Sequence, residues 1–267
     1  MRKYWVVLSV ALSERLIYRA DFFFSTFLRF IPIITTILLW RAIFDGAGAE
    51  LLGGLSYPDM VAYYLFIMIS RAFGSMPGLA SGIARDVREG DLRKFLLQPI
   101  DYLGYLITLR VAHKLVYYIL AFIPFAIVFW ICRGFLPGWP SPGVFGLYLV
   151  SLGLAFLLGF AVNALIGLSA FWFLEVNSLL YIFMIGQYFL SGHMFPLSLL
   201  PDGVRTAVEW LPFAYETYYP TLILVQHQTV EQVLPIIAGQ LAWIIVLLAA
   251  GRLAWTRGLR RYAAFGG

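Results

Sequence analysis

Long apolar runs alternate with short polar stretches along this chain, and the length of each run decides what it can do. A helix rises 1.5 Å per residue, so about 20 largely apolar residues are needed to cross a hydrocarbon core of roughly 30 Å. Six stretches reach or approach that length: residues 22–44, 59–76, 102–132, 144–171, 179–195 and 233–255. The pattern predicts an all-α integral membrane protein of six transmembrane helices. No soluble domain fits between them, so residues 1–267 form a single transmembrane domain.

The chain opens with Arg2 and Lys3 ahead of an apolar run from Tyr4 to Leu12, the outline of a secretory signal. No small-residue cleavage pattern follows, however, and Glu14, Arg15 and Arg19 continue the segment. Trp5, Leu8, Leu12 and Leu16 fall near one helical face, which predicts an amphipathic helix over residues 1–19 lying along the membrane surface.

Composition agrees with a lipid environment: 61% of the 267 residues are hydrophobic and 12% charged, against roughly half and a quarter in soluble domains. The distribution of basic residues then sets the orientation, because Lys and Arg near span ends stay on the cytoplasmic side. Arg2, Lys3, Arg15 and Arg19, then Arg85, Arg88, Arg93 and Lys94, and finally Arg257, Arg260 and Arg261 all fall on one side of a six-span chain. Both termini are therefore expected in the cytoplasm. The net charge of +5 does not point to nucleic acid, since the basic residues sit at span ends among acids rather than along one face.

Catalytic motifs are missing from the sequence. His113, His193 and His227 form no His-Glu-x-x-His pair, and Cys132 is the single cysteine, expected to pack. Neither a Gly-x-Ser-x-Gly elbow nor a phosphate-cradling Gly-x-x-x-x-Gly-Lys-Ser/Thr loop is present. No catalytic, metal or cofactor residue is assigned, and any ATP that drives the protein must bind another chain.

Residues 78–100, GLASGIARDVREGDLRKFLLQPI, concentrate charge on the cytoplasmic side. Arg85, Asp86, Arg88, Glu89, Asp91, Arg93 and Lys94 lie within ten residues, while Leu79, Ile83 and Val87 recur as the stripe of a short helix. Gly90 is expected to end that helix and Pro99 to stop the next segment, which carries Leu92, Phe95, Leu96 and Leu97. Charge alone suits a solvated loop that only enforces topology. The stripe suits an amphipathic helix offered to a soluble partner.

On the outer side, residues 195–224 are divided by Pro196, Pro201, Pro212 and Pro220 into pieces too short to span. Asp202 is placed to cap a brief helix through Glu209 and Trp210. The content of Leu, Phe and Tyr suits either a re-entrant hairpin dipping into the outer leaflet or a lid lying flat on it. Trp130, Trp139, Tyr215, Tyr218 and Tyr219 read as an aromatic belt. Within the spans, Arg71, Asn163, Gln187 and His193 are the sparse polar residues that could line a substrate path. Each has a structural alternative: Arg29 and Arg71 could snorkel, Asn163 and Gln187 could join helices, and His193 could simply be hydrogen-bonded. Glu175 and Asn177 mark an expected inner turn.

REGDLRKFLLQPI, residues 88–100, and FPLSLLPDGVRTAVEWLPFAYETYYP, residues 195–220, carry a family resemblance that extends over essentially the whole chain. It resembles the permease subunits of type-2 ABC exporters, in the bacterial branch with six spans and a separately encoded ATPase. The resemblance implies a second permease, identical or homologous, over a cytoplasmic ATPase dimer that binds ATP and Mg. Residues 79–97 would be the coupling helix in the ATPase cleft, residues 1–19 the connecting helix, and residues 195–224 the outer re-entrant helices. The implied cargo is amphiphilic, of a drug, peptide, lipid or glycan-like kind, passing between two permeases by alternating access. Two rival readings are a lipid-modifying membrane enzyme using Asp202, Glu209 and Glu216, and an ATP-independent channel or scaffold.

Overall fold

The computed structural model describes residues 2–17, 28, 30–173 and 176–266. Among them the chain is helical, and extended backbone pairs only in an isolated bridge between Leu52 and Leu55. In order come α1 (Arg2–Ile17), α2 (Ile31–Ala47), α3 (Tyr57–Gly74), α4 (Leu79–Glu89), α5 (Leu92–Leu96) and α6 (Tyr102–Ile131). There follow α7 (Pro142–Leu168), α8 (Asn177–Leu190), α9 (Asp202–Glu209), α10 (Pro212–Glu216), α11 (Tyr218–Val225) and α12 (Val230–Gly266). Among the described residues, three stretches are long and apolar enough to cross a membrane: Tyr102–Ile131, Pro142–Phe171 and Val230–Tyr262.

The chain divides into two compact units. The first draws on residues 1–51, 56–65 and 93–136 and the second on 52–55, 66–92 and 137–267. In the first unit α1 packs along α6, with the Tyr4 hydroxyl against Gly104 and the Lys3 ammonium donating to the Pro99 carbonyl. Rings join α2 to the start of α3, Trp40 to Tyr64 and Phe44 to Tyr57, at centroid distances of 6.1 and 5.9 Å. Asp101 caps α6 by accepting the Gly104 N–H at 2.6 Å, which satisfies one of the orphan donors of the first turn.

The second unit is built around α7, which packs against α12, α4, α10 and α11. Val144, Tyr148 and Leu152 of α7 meet Ile223 and Leu224 of α11 and Val233 and Ile236 of α12. Further along, Leu158, Ala161 and Val162 meet Ile244 and Leu247. Small residues on α7 are what let its neighbours approach so closely.

Several boundaries and orientations differ from those expected. Helix α1 forms, but Trp5, Val6 and Val10 are exposed while Ala11 is buried, so its apolar residues surround the axis instead of forming one face. The run Trp5–Leu12 is apolar at nearly every position, and docking on α6 selects which side is covered. The stretch 179–195 becomes the 14-residue α8, ending at Leu190 because Gly192 takes a left-handed φ of 74°. At about 21 Å it is shorter than a bilayer core. Helix α12 runs 37 residues, well past Trp255, since nothing in Arg257–Tyr262 interrupts it. Pro201, not Asp202, occupies the cap of α9, leaving Asp202 in the first turn, where an acid still suits the helix dipole. Tyr218 is fully buried and Tyr215 and Tyr219 are half-buried with ring centroids 4.7 Å apart, whereas Trp130 and Trp139 are exposed. Cys132 is buried and unpaired with another cysteine. The expected positions of Arg19, Arg29 and Glu175, the side chain of Arg15, and the start of the 22–44 stretch lie outside the described residues.

Candidate functional site

Helix α4 is bounded by two glycines in left-handed conformation, Gly78 with φ 72° and Gly90 with φ 82°, where a side chain would be strained. Its stripe of Leu79, Ile83 and Val87 is buried, together with Ala80 and Ala84. The seat is Gly167 of α7: a Cβ there would lie 2.8 Å from the Ile83 Cβ and 2.9 Å from the Ala80 carbonyl oxygen. Beside it the 3-10 turn Ser169–Phe171 places the Phe171 ring against Trp255 and Tyr262 of α12, each at 6.2 Å, and directly over Gly258. Arg85, Arg88 and Glu89 face outward, with Asp86, Gly90 and Asp91 half-buried.

The fifteen residues expected to meet a partner are thereby sorted. Leu79, Ile83, Val87 and Leu92 are committed to the interior of the chain itself. Arg93 and Lys94 are exposed, Phe95 is half-buried against Tyr102 and Tyr105, and Leu96 and Leu97 are exposed, Leu97 to 88%.

A second feature lies deeper along α7. A Cβ on Gly159 would stand 2.0 Å from the Gly74 carbonyl oxygen, so the end of α3 rests directly on the α7 backbone. Eight residues separate Gly159 from Gly167, which is about 12 Å along a helix. The middle of Pro142–Leu168 is Ala155, and Arg71 lies one turn before Gly74 on the side away from α4. Arg71 is therefore level with the centre of α7, about 20 Å from either end.

The polar residues singled out in the spans gather at this level. Arg71 donates to Nε2 of His193 at 2.5 Å and lies 5.9 Å from the Tyr188 ring, which meets the His193 ring edge-on at 4.8 Å. Gln187 donates to both carboxylate oxygens of Glu216, at 2.9 and 2.7 Å. Glu216 is only 2% exposed and fills the space that Gly74 and Gly159 leave open. Asn163 donates to the Gly159 carbonyl at 2.9 Å within its own helix. Arg71 reaches His193 and Tyr188 and remains exposed.

The re-entry of the chain after α8 places the rest. Pro196, Pro201 and Pro212 each stand at the start of a short helical piece, and Pro220 lies in the first turn of α11, where a missing N–H costs nothing. Thr217 donates to the Ser191 carbonyl at 2.5 Å, Thr221 to Ser70 at 3.1 Å, and Gln240 of α12 to the carbonyls of Tyr215 and Ser151 at 2.9 and 3.1 Å. These bonds tie α10 and α11 to the unit's interior. The three outer acids part company: Asp202 is exposed, Glu209 pairs with Arg205 at 2.8 Å, and Glu216 is buried with Gln187. The pairing with Glu209 also pushes the Arg205 guanidinium pKa up.

Sequence reasoning missed Glu216 as an interior residue, along with Ser70, Ser151, Thr221 and Gln240. A signal for Glu216 existed: it is the sole charge in Leu211–Val225, and an acid in so apolar a run is rarely idle.

Residues 30–266 match the family described as ABC-2 family transporter protein. No curated protein is similar enough to match the chain. A helical fold with three stretches able to cross a membrane, matched over residues 30–266, makes this chain a member of the ABC-2 transporter family: a multi-pass membrane permease subunit of an ABC transporter, which works with a partner ATPase.

Proposed function

We propose that this permease serves an ATP-driven exporter, carrying an amphiphilic substrate outward across the bacterial cytoplasmic membrane. Spans one to six correspond to α2, α3, α6, α7, α8 and α12 over a single domain of residues 1–267, with both termini cytoplasmic. Two permeases, identical or homologous, form the path between them. ATP and Mg bind a cytoplasmic ATPase dimer, and this chain contributes no catalytic residue.

The observation that carries this reading is α4. Its apolar stripe is sealed onto α7 and the Phe171 turn, while Arg85, Arg88 and Glu89 point outward. A force on that charged face has no loose joint to absorb it, because Gly167 brings the two backbones into contact. That is what a coupling helix requires: charged residues to recognise the motor and a rigid seat to transmit its movement. The exposed Arg93, Lys94, Leu96 and Leu97 of the first unit are further candidates to meet the ATPase. The outer segment supports a re-entrant hairpin over a flat lid, since α10 and α11 pack against α7, α8 and α12. The dispersal of Asp202, Glu209 and Glu216 gives no support to a lipid-modifying enzyme built on them.

The test is co-expression with the ATPase encoded nearest the permease. The two should co-purify, and inside-out vesicles should accumulate an amphiphilic dye only with ATP. Combined Arg85→Glu and Arg88→Glu should cut permease-stimulated hydrolysis and uptake about tenfold. No association, or a doubly reversed variant that transports normally, would overturn the proposal.

A further inference from the structure

The last turns of α12 are covered on one side and cationic on the other. On a helix of 3.6 residues per turn, Trp255, Gly258 and Tyr262 share the side that meets Phe171, and Gly258 is buried there. Val246, Ala249, Leu253, Arg257 and Arg260 recur at the three- and four-residue spacing of a single face on the opposite side, and all five are exposed. No acid follows Glu231 along α12. Gly90, flanked by Glu89 and Asp91, approaches α12 from the covered side, at the Tyr262 hydroxyl. Residues 233–255 of α12 run about 33 Å, close to the thickness of a hydrocarbon core, and Arg257 and Arg260 follow Trp255 by about 3 and 8 Å along the axis. The exposed face thus passes from apolar to cationic at the depth where acyl chains give way to phosphate.

We infer that this face of α12 holds anionic phospholipid, with Arg257 and Arg260 donating to the headgroup phosphate while Val246, Ala249 and Leu253 lie along the acyl chains. A planar guanidinium donates two bonds at once to phosphate oxygens. Its charge favours a headgroup of net negative charge over a zwitterionic one, and basic residues just outside a span are drawn to anionic lipid for that reason. A soluble acidic partner would match the arginines but could not reach Val246 and Ala249, one and a half turns or more deeper than Leu253 and Arg257, whereas a single lipid matches both halves of the face. That this lipid belongs to the cytoplasmic leaflet rests on the orientation proposed above.

Permease in nanodiscs of equimolar phosphatidylcholine and phosphatidylglycerol is ejected for native mass spectrometry, and the lipids that stay bound are counted by headgroup. The wild type should retain phosphatidylglycerol in preference to phosphatidylcholine. Combined Arg257→Gln and Arg260→Gln should lower that preference about tenfold, in keeping with the attraction of two basic side chains to an anionic surface. Combined Arg257→Lys and Arg260→Lys keeps the charge and should keep the preference, which ties the loss to charge even if the glutamine pair folds poorly. Equal retention of the two lipids by the wild type, or an undiminished preference in the glutamine pair, overturns the inference. So does a glutamine pair that keeps its phosphatidylglycerol but no longer binds the ATPase or a second permease, which would make this face a protein contact. Both leaflets of the nanodisc carry both lipids, so the result does not depend on which end of α12 is cytoplasmic. Labelling of Arg260→Cys from outside intact cells would sink the orientation while leaving the site, and a missing ATPase partner would sink the exporter reading while leaving it too.

Discussion

Gly159 shows how a single missing side chain organises the second unit. With the Gly74 carbonyl oxygen 2.0 Å from where its Cβ would stand, Gly159→Ala must push the end of α3 off α7. Overpacking of this kind costs about 1–3 kcal/mol, so the thermal midpoint in detergent should fall for Gly159→Ala and hold for Gly153→Ala, whose Cβ meets nothing within 4 Å. Gln187→Leu removes both bonds to a buried carboxyl group and should cost about 1.5–3 kcal/mol by the same measurement. Arg71, Gln187 and His193 were legible as residues because polarity stands out in an apolar run. Their partners were not: Arg71 and His193 are 122 positions apart, and Glu216 read as part of an outer loop because its burial depends on the return of α10.

The elements themselves follow closely from local sequence where glycine and proline punctuate it. Helix α4 was legible from the spacing of Leu79, Ile83 and Val87, and Gly90 ends it as expected. The destination of that stripe was not, since an amphipathic pattern states that one face is covered but not by what. Ile83→Glu places a charge against Gly167 and should release α4, seen as new protease cleavage within residues 79–97, whereas Arg85→Glu on the opposite face should leave the digestion pattern unchanged. Gly90→Ala must hold a φ of 82° with a side chain and should lose about 1–2 kcal/mol of stability. Helices α8 and α12 departed from their expected ends because hydropathy does not see a left-handed Gly192, nor a basic segment that simply continues a helix.

For the whole molecule, the distribution of basic residues and the apolar runs gave the membrane class and the orientation proposed here. The buried polar layer, which depends on contacts among α3, α7, α8, α10 and α12, left almost no trace in periodicity. Cys132 is the single cysteine and is buried, so Cys132→Ala supplies a clean background for labelling. Trp139→Cys, at a position 96% exposed, should react with an impermeant maleimide added to intact cells, and Arg260→Cys only after the membrane is opened. Reversal of that pattern would invert the orientation.

The seat of α4 on Gly167, with Phe171 wedged against Gly258 and the Tyr262 hydroxyl 3.5 Å from the Cβ position of Gly90, has an engineering consequence. A covalent staple between the end of α4 and the last turns of α12 should not stall the proposed transport cycle, because those parts are already packed together. A staple that stopped turnover would reveal a hinge inside the lever itself.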